Sequence, residues 1–372
     1  MATDICSMFD IEIPLFAFSH CRDVVAAVTN AGGFGVLGAS SHTPGELEHE
    51  LAWIDQQVKG RSYGVDILCP AKYEGKGATL DELNARIPEK HKNFVENLLR
   101  RHDIDAPRAE LFGIDRVADE ETGRRLLDVS FRHPIKLIAN ALGVPPQFMI
   151  DRARAEGVPV AALVGSREHA VKQVKAGVDL LVAQGTEAGG HCGEVTTMVL
   201  VPEVVEAIKP IRDVPVLAAG GIMNGRQMAA SIALGAAGAW TGSIWLATEE
   251  SETAMHIKQK LIAATSRDTV RSPGRTGKPS RQLRSAWTEA WADSDSPGAL
   301  PMPLQSGIAR KTLARVDALA DSGHPGAQTL ATYWVGQGVG LIDKIRPARA
   351  VVSSFAEDYI AAGDDIAAVL DR

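Results

Sequence analysis

No stretch of this sequence approaches the roughly 20 uninterrupted apolar residues that a membrane-spanning helix requires. Its first residues, MATDICSMFDIEIPLF, have neither a basic start nor a long apolar run. Neither a membrane anchor nor a secretory leader is expected, and the expected location is the cytoplasm. Cysteine is scarce: Cys6, Cys21, Cys69 and Cys192 are the whole complement, with no CxxC pair and no histidine at zinc-ligand spacing. A chain of 372 residues needs no disulfide framework, so reduced thiols and no metal site are expected. Positive charge is not in excess either. The formal net charge is −7, which leaves no overall basic field to hold nucleic acid. Basic residues over 271–284 alternate with Gly, Pro and Ser without aromatic interleaving, which predicts a surface loop there.

What is present suits a packed globular enzyme. Hydrophobic residues make up 45% and charged residues 23% of the chain, an ordinary balance for a protein with a core. Short, β-branched apolar runs alternate with helical patterns, the signature of βαβ units. Strands are expected at 12–18, 34–39, 62–68, 135–139, 158–164, 180–184, 214–219 and 237–241. Eight such strands predict a (β/α)8 TIM barrel, although an open doubly wound sheet would show the same alternation. Helix starts are marked by Pro44, by Pro202 at a first helical position and by Asn224 as a cap before GRQMAASIALG. Residues 1–264 are expected to form the barrel, with a helical insertion over about 70–132 where LDELNARIPEKHKNFVENLLRRH has helical spacing. Residues 265–372 follow the last barrel helix. They are expected to open with a Gly/Pro/Arg-rich loop, continue mostly helical and pack on the active-site face of the barrel.

In such barrels the chemistry lies on the loops after the strands. Gly220 and Gly221 follow the seventh expected strand, and Gly242 and Ser243 follow the eighth, with SIWLA opening a short helix. Glycines there let backbone N–H groups approach a phosphate, and a helix N-terminus favours an anion. Tight turns alone would also explain such glycines. The loop after the sixth strand reads Gln184-Gly185-Thr186-Glu187-Ala188-Gly189-Gly190-His191-Cys192-Gly193. Gln184 can both donate and accept toward a heteroaromatic ring, the glycines thin the backbone so that a flat ring can lie close, and His191 stands at the tip. Nothing nearby in sequence lowers the Cys192 pKa, so this cysteine reads as a small apolar filler.

QGTEAGGHCG, AAGGIMNGRQMAASIALGA and TGSIWLATEES together resemble the nitronate monooxygenase (2-nitropropane dioxygenase) family of FMN-dependent barrels. NAGGFGVLGAS, GKPSRQLRSAW and YWVGQGVGLID are similar to other parts of that family, so the likeness covers nearly the whole chain outside 70–132. The resemblance implies FMN held by Gln184, Gly189, Gly190, Gly220, Gly221, Gly242 and Ser243, with Phe18, Ser19 and Asp66 beside it. It implies His191 as catalytic base and His20, Cys192 and Gln337 in the substrate pocket. Three places depart from the family pattern. Phe18-Ser19-His20 stands where Ala-Pro-Met is usual, Gly64-Val65-Asp66 replaces Gly-Val-Asn, and Cys192 follows the histidine where a Thr or a β-branched apolar residue is usual.

Three functions follow as expectations. The first is oxidation of alkyl nitronates with O2. The second is an NAD(P)H-dependent flavin reductase of enoyl thioesters or quinones, because flavin enoyl reductases share the EAGGH loop. The third, a non-catalytic nucleotide-binding barrel, has no use for a histidine at that tip. A Cys192-dependent enzyme resembling inosine-monophosphate dehydrogenase fails on the glycine pattern before the cysteine. The expected partners are a small-molecule substrate with O2 or NAD(P)H, no nucleic acid and no membrane, with a homo-oligomer left open.

Overall fold

The computed structural model describes residues 5–69, 77–117 and 119–370. Eight parallel strands close into a barrel: β1 (Leu15–Ser19), β2 (Phe34–Gly38), β3 (Tyr63–Asp66), β4 (Leu137–Asn140), β5 (Val160–Val164), β6 (Leu180–Gln184), β8 (Val216–Ala219) and β9 (Gly238–Thr241), with β9 returning to pair with β1. A short strand β7 (Gly190–His191) lies outside the barrel, in a separate sheet with β10 (Thr269–Ser272) and β11 (Ser280–Leu283). The fold is the (β/α)8 TIM barrel expected from the alternation.

Several barrel strands begin later than the apolar runs do. Pro14, Pro159 and Pro215 sit just before β1, β5 and β8, and each offers a carbonyl to the neighbouring strand, accepting from Ala239, Ile138 and Leu181. Having no N–H, each proline accepts without donating, so the two-sided ladder starts after it.

The barrel interior is filled by side chains at alternate positions. Phe9, from the helix Ile5–Phe9 below the barrel, meets Phe34 at 4.9 Å and Phe16 at 5.3 Å between ring centroids. Phe16 and Phe18 lie 6.2 and 6.3 Å from Trp240, and the His20 ring stands 5.1 Å from Phe18 at the mouth. An aromatic column therefore runs from the floor of the barrel to its carboxyl end.

The outer helices pack by their apolar faces on the strands. Leu47, Leu51 and Ile54 of helix Pro44–Val58 share a core with Leu126, Leu127 and Val129 of helix Glu120–Ser130. The latter helix thus belongs to the ring, while helices Leu80–Ala85, Glu89–Arg101 and Arg108–Leu111 do not. Pro44 opens its helix as expected, behind a Thr43–Glu46 capping box. Asn224 caps helix Gly225–Ala233 through Gln227 N–H at 3.0 Å. Pro202 does not open a helix. It sits inside helix Thr197–Ile208, because the buried Leu200 and Val201 and a side-chain cap from Glu187 extend that helix toward its N-terminus.

The ring is closed by the end of the chain. Helix Ala348–Leu370 packs between helices Gly225–Ala233 and Arg22–Asn30, where the helix following the eighth barrel strand would lie. A Cβ at Gly225 would stand 2.0 Å from the Phe355 carbonyl, so only glycine permits this approach. Helix Met255–Ala263 turns instead into a second core. There Ile257 and Leu261 join Leu83, Val95 and Leu98 of the insertion and Ile308, Leu313 and Val316 of helix Leu304–Asp321. Met223, in the loop after β8, and Ala247, which ends the 3-10 turn after β9, belong to the same core, so this lobe sits at the carboxyl end of the barrel. Among the described residues, no helix is long and apolar enough to cross a membrane.

Candidate active site

Three neighbouring strands set one edge of the barrel mouth. Leu15 and Ala17 face the outer core, so alternation turns Phe16 and Phe18 inward and Ser19 outward. The Ser19 hydroxyl accepts from Cys21 N–H at 3.1 Å and caps the turn into the next helix. His20 Nδ1 donates to the Gly38 carbonyl at 2.9 Å. That bond assigns the proton to Nδ1 and leaves the Nε2 lone pair uncommitted. Water reaches the ring, yet enough protein surrounds it that desolvation lowers its pKa, with His42 adding repulsion. A Cβ on Gly38 would lie 2.6 Å from the His20 ring and 2.8 Å from Phe18, so those rings would have to shift to admit one.

Asp66 is the register partner of Gly38 and of Ala139. Tyr63 and Val65 face outward, so Asp66 faces into the barrel, where it is 3% exposed. Burial pushes its carboxyl up to about 7, opposed only by a hydrogen bond from the Ala141 backbone. Among the described residues no cation stands against this carboxyl group.

The loop after β6 is held by its own acid. Glu187 accepts from Thr197 N–H at 2.9 Å and from the Thr197 hydroxyl at 3.0 Å, and that hydroxyl also lies 2.9 Å from the Gly220 carbonyl. A Cβ on Gly185 would stand 2.2 Å from Thr197 Oγ1, and one on Gly189 would meet the backbone of Val335 and Gly336 at 2.8 and 2.9 Å. The loops after β6 and β8 are thereby locked to one another and to segment 334–338. Gln337 N–H donates to the Glu187 carbonyl at 2.8 Å, and Gly336 N–H donates to Ser243 Oγ at 2.8 Å. Gln184, ending β6, faces the same mouth.

Gly220 and Gly221 adopt φ of +106° and +75°, the left-handed region in which a side chain is strained. Gly242 precedes the 3-10 helix Ser243–Ala247, and a Cβ built on it meets nothing within 4 Å. Among the described residues none accepts from the backbone N–H groups of Gly221, Gly242 or Ser243. Unengaged N–H groups at two adjacent strand ends, with open space at Gly242, fit a phosphate.

His191 is placed by a sheet that the sequence did not announce. β7 pairs with β11, aligning His191 with Ser280 and Gly190 with Arg281, and β11 pairs in turn with β10. The expected surface loop over 271–284 is thus a buried hairpin: Ser280 and Gln282 have no exposure and Arg281 has 7%. Periodicity missed it because its polar side chains are satisfied inside. Arg281 Nε donates to the Thr186 carbonyl at 2.8 Å, Arg271 donates to the Cys192 carbonyl at 3.3 Å, and Trp334 Nε1 donates to Ser280 Oγ at 3.1 Å.

At the tip of this hairpin the Thr276 hydroxyl lies 2.8 Å from His191 Nε2. Thr276 Oγ1 also donates to the Lys278 carbonyl at 3.2 Å and accepts its N–H at 3.3 Å. Desolvation, then the Lys278 ammonium, lowers the His191 pKa to about 4, so the imidazole is neutral at neutral pH. Cys192 donates its thiol to the Thr186 carbonyl at 3.4 Å, and burial raises its pKa against the opposing pull of Arg271 and Arg281. It behaves as a packed thiol. Glu187, Thr197, Thr276 and Trp334 are the site-forming residues that sequence reasoning missed. The spacing of Glu187 from Thr197 could have signalled the cap, whereas nothing local ties Thr276 to His191.

A family model described as nitronate monooxygenase matches residues 8–358, running through the inserted helices as well. A protein of Mycobacterium tuberculosis named as a monooxygenase is 52% identical over 374 residues, covering 97% of each chain. A Staphylococcus aureus protein named as a nitronate monooxygenase is 28% identical over 365 residues, covering 93% of this chain and 94% of its own. Among solved structures, FabK from Thermotoga maritima superposes with a TM-score of 0.73 at 25% identity, over 99% of both chains. A nitroalkane oxidase from Streptomyces ansochromogenes shares the fold with a TM-score of 0.81 at 24% identity, over 98% of this chain and all of its own. With a family match that spans nearly the entire barrel and lobe, this chain belongs to the nitronate monooxygenase family and is an oxidoreductase.

Proposed function

We propose that this protein is an FMN-dependent monooxygenase that oxidises alkyl nitronates with O2, using His191 as its base. The observation that carries the reading is the neutral, part-buried His191 held by Thr276 at the same mouth as the N–H groups of Gly221, Gly242 and Ser243.

Those N–H groups and Gly220 would hold the phosphate of FMN, and Gln184, Gly189 and Gly190 would line the ring beside Phe18 and Asp66. When bound, the flavin supplies the electron acceptance that the reaction needs. A single phosphate-sized cradle, with no GxGxxG turn after β1, favours FMN over FAD. His20, Cys192 and Gln337 would border the substrate.

This chain's own part is to manage a proton. Thr276 carries one hydroxyl proton. Given to the Lys278 carbonyl, it leaves the Thr276 oxygen to accept from a His191 Nε2–H, and Nδ1 then holds the lone pair that takes the α-proton from a neutral nitroalkane, leaving the nitronate to be oxidised. Lys278, near enough to depress the imidazole pKa, keeps that lone pair available. Segment 334–338 packs on the loop after β6 through the Gln337 N–H bond to Glu187 and the close approach of Gly189 to Val335 and Gly336.

The test is anaerobic mixing of the purified yellow protein with NADH, NADPH and an alkyl nitronate in parallel, together with mass measurement of the released cofactor. Bleaching by the nitronate alone, with FMN released, supports the reading. Bleaching by a nicotinamide overturns it in favour of the reductase, FAD overturns the phosphate argument, and colourless protein overturns the flavin altogether.

A further inference from the structure

Asp66 is a buried carboxyl that the proton management above leaves unused. It ends β3 on the inward face, fully enclosed, with Gly38 and Ala139 as its register partners. Across Gly38 stands His20, already committed through Nδ1 to the Gly38 carbonyl. On the β4 side Asn140 turns its amide to Cys69 N–H, Leu142 and Gly143, and only the Ala141 backbone reaches the carboxyl. Beyond β3, Cys69 is itself pushed up to about 11 by burial, with Glu120, Asp66 and Asp119 raising it further and Arg124 opposing. Among the described residues no cation lies against Asp66, so burial favours the uncharged acid.

We propose that Asp66 serves as a neutral carboxylic acid facing the ring of the bound cofactor, and that it binds a proton when the ring is reduced. This rests on the flavin reading above. An uncharged Asp66 presents an O–H donor where a carboxylate would present only negative charge. The ring gains electron density on reduction, and a carboxylate beside it becomes less tolerable. Above neutral pH, Asp66 therefore takes a proton from solvent as two electrons enter from the reductant. One O–H bond forms on Asp66, and no bond to the protein breaks. His20, with its lowered pKa, His191 at about 4 and Cys69 at about 11 titrate away from this range. His42 approaches His20 on the β2 side and needs its own control.

The experiment is the midpoint potential of the holoenzyme's flavin between pH 5.5 and 9, poised with dithionite and a reference dye. The wild type should show a span beginning near neutral pH in which reduction takes up one proton more than the ring itself requires. Asp66→Asn should lose that span, while His20→Gln and His42→Gln keep it. A wild type without the extra proton overturns the proposal, and so does a span that survives Asp66→Asn or vanishes in a histidine variant. If Asp66→Asn fails to retain flavin, infrared difference spectra of the wild type at pH 8 decide: a protonated-carboxyl band must appear on reduction, and its absence overturns the assignment. Protein that binds no flavin sinks the flavin reading itself, whereas flavin without the extra proton sinks only the role of Asp66.

Discussion

His191 Nε2 and the Thr276 hydroxyl lie 2.8 Å apart although 85 residues separate them in the chain. One comes from the loop after β6 and the other from the β10–β11 hairpin, so the imidazole is oriented by an element outside the barrel.

Thr276→Val removes that orienting bond and leaves the shape. One net hydrogen bond of about 0.5–1.5 kcal/mol converts to roughly 2–10-fold in rate. The expected result is a drop of that size in kcat with flavin content unchanged and a displaced acid limb in the pH profile, both restored by Thr276→Ser. Equal losses in the Val and Ser variants would refute an orienting role.

His191→Ala should keep the flavin and lose on the order of 10² to 10⁴ in turnover, the usual worth of a positioned acid–base group. Because burial and Lys278 lower its pKa to about 4, the base stays unprotonated below the ordinary histidine range. The acid limb of kcat/KM should therefore fall near pH 4, and a limb between 6 and 7 would contradict the assignment.

Two glycines should respond in opposite ways to alanine. Gly189→Ala drives a Cβ into the Val335–Gly336 backbone, so thermal stability should fall, by about 1–3 kcal/mol in the manner of overpacked sites. At Gly242 a Cβ meets no protein atom and φ is −130°. Gly242→Ala should fold normally and bind FMN at least 10-fold more weakly (about 1.4 kcal/mol), measured by quenching of flavin fluorescence.

Asp66 also couples stability to pH. Its pKa is near 3.8 unfolded and about 7 folded, so the folded state binds more protons in between, and stability contributed by this group is lost as pH rises from about 4 to 7. Asp66→Asn should therefore raise the Tm of the cofactor-free protein at pH 8 relative to wild type and change it little at pH 4. The gain is roughly 2–4 kcal/mol if the shift is fully expressed. Equal effects at both pH values would show that Asp66 is not the group responsible.

Alternating apolar runs determined the eight barrel strands, because a strand buried on both faces must be apolar along its length. Glycines at the ends of β6, β8 and β9 marked where the chain bends, since φ above zero at Gly190, Gly220 and Gly221 is a local requirement. His191 was legible for the same reason, standing at the tip of such a loop. Tertiary structure alone decided what surrounds it. The β10–β11 hairpin carries Ser280, Arg281 and Gln282 inside through hydrogen bonds to distant carbonyls and hydroxyls, so no hydrophobic period betrays it. The closing helix Ala348–Leu370 and the Thr276–His191 contact join residues far apart in the chain. The Asp66 pKa likewise depends on enclosure by strands from three parts of the sequence, and desolvation is a property of the assembled barrel rather than of any residue's neighbours in the chain.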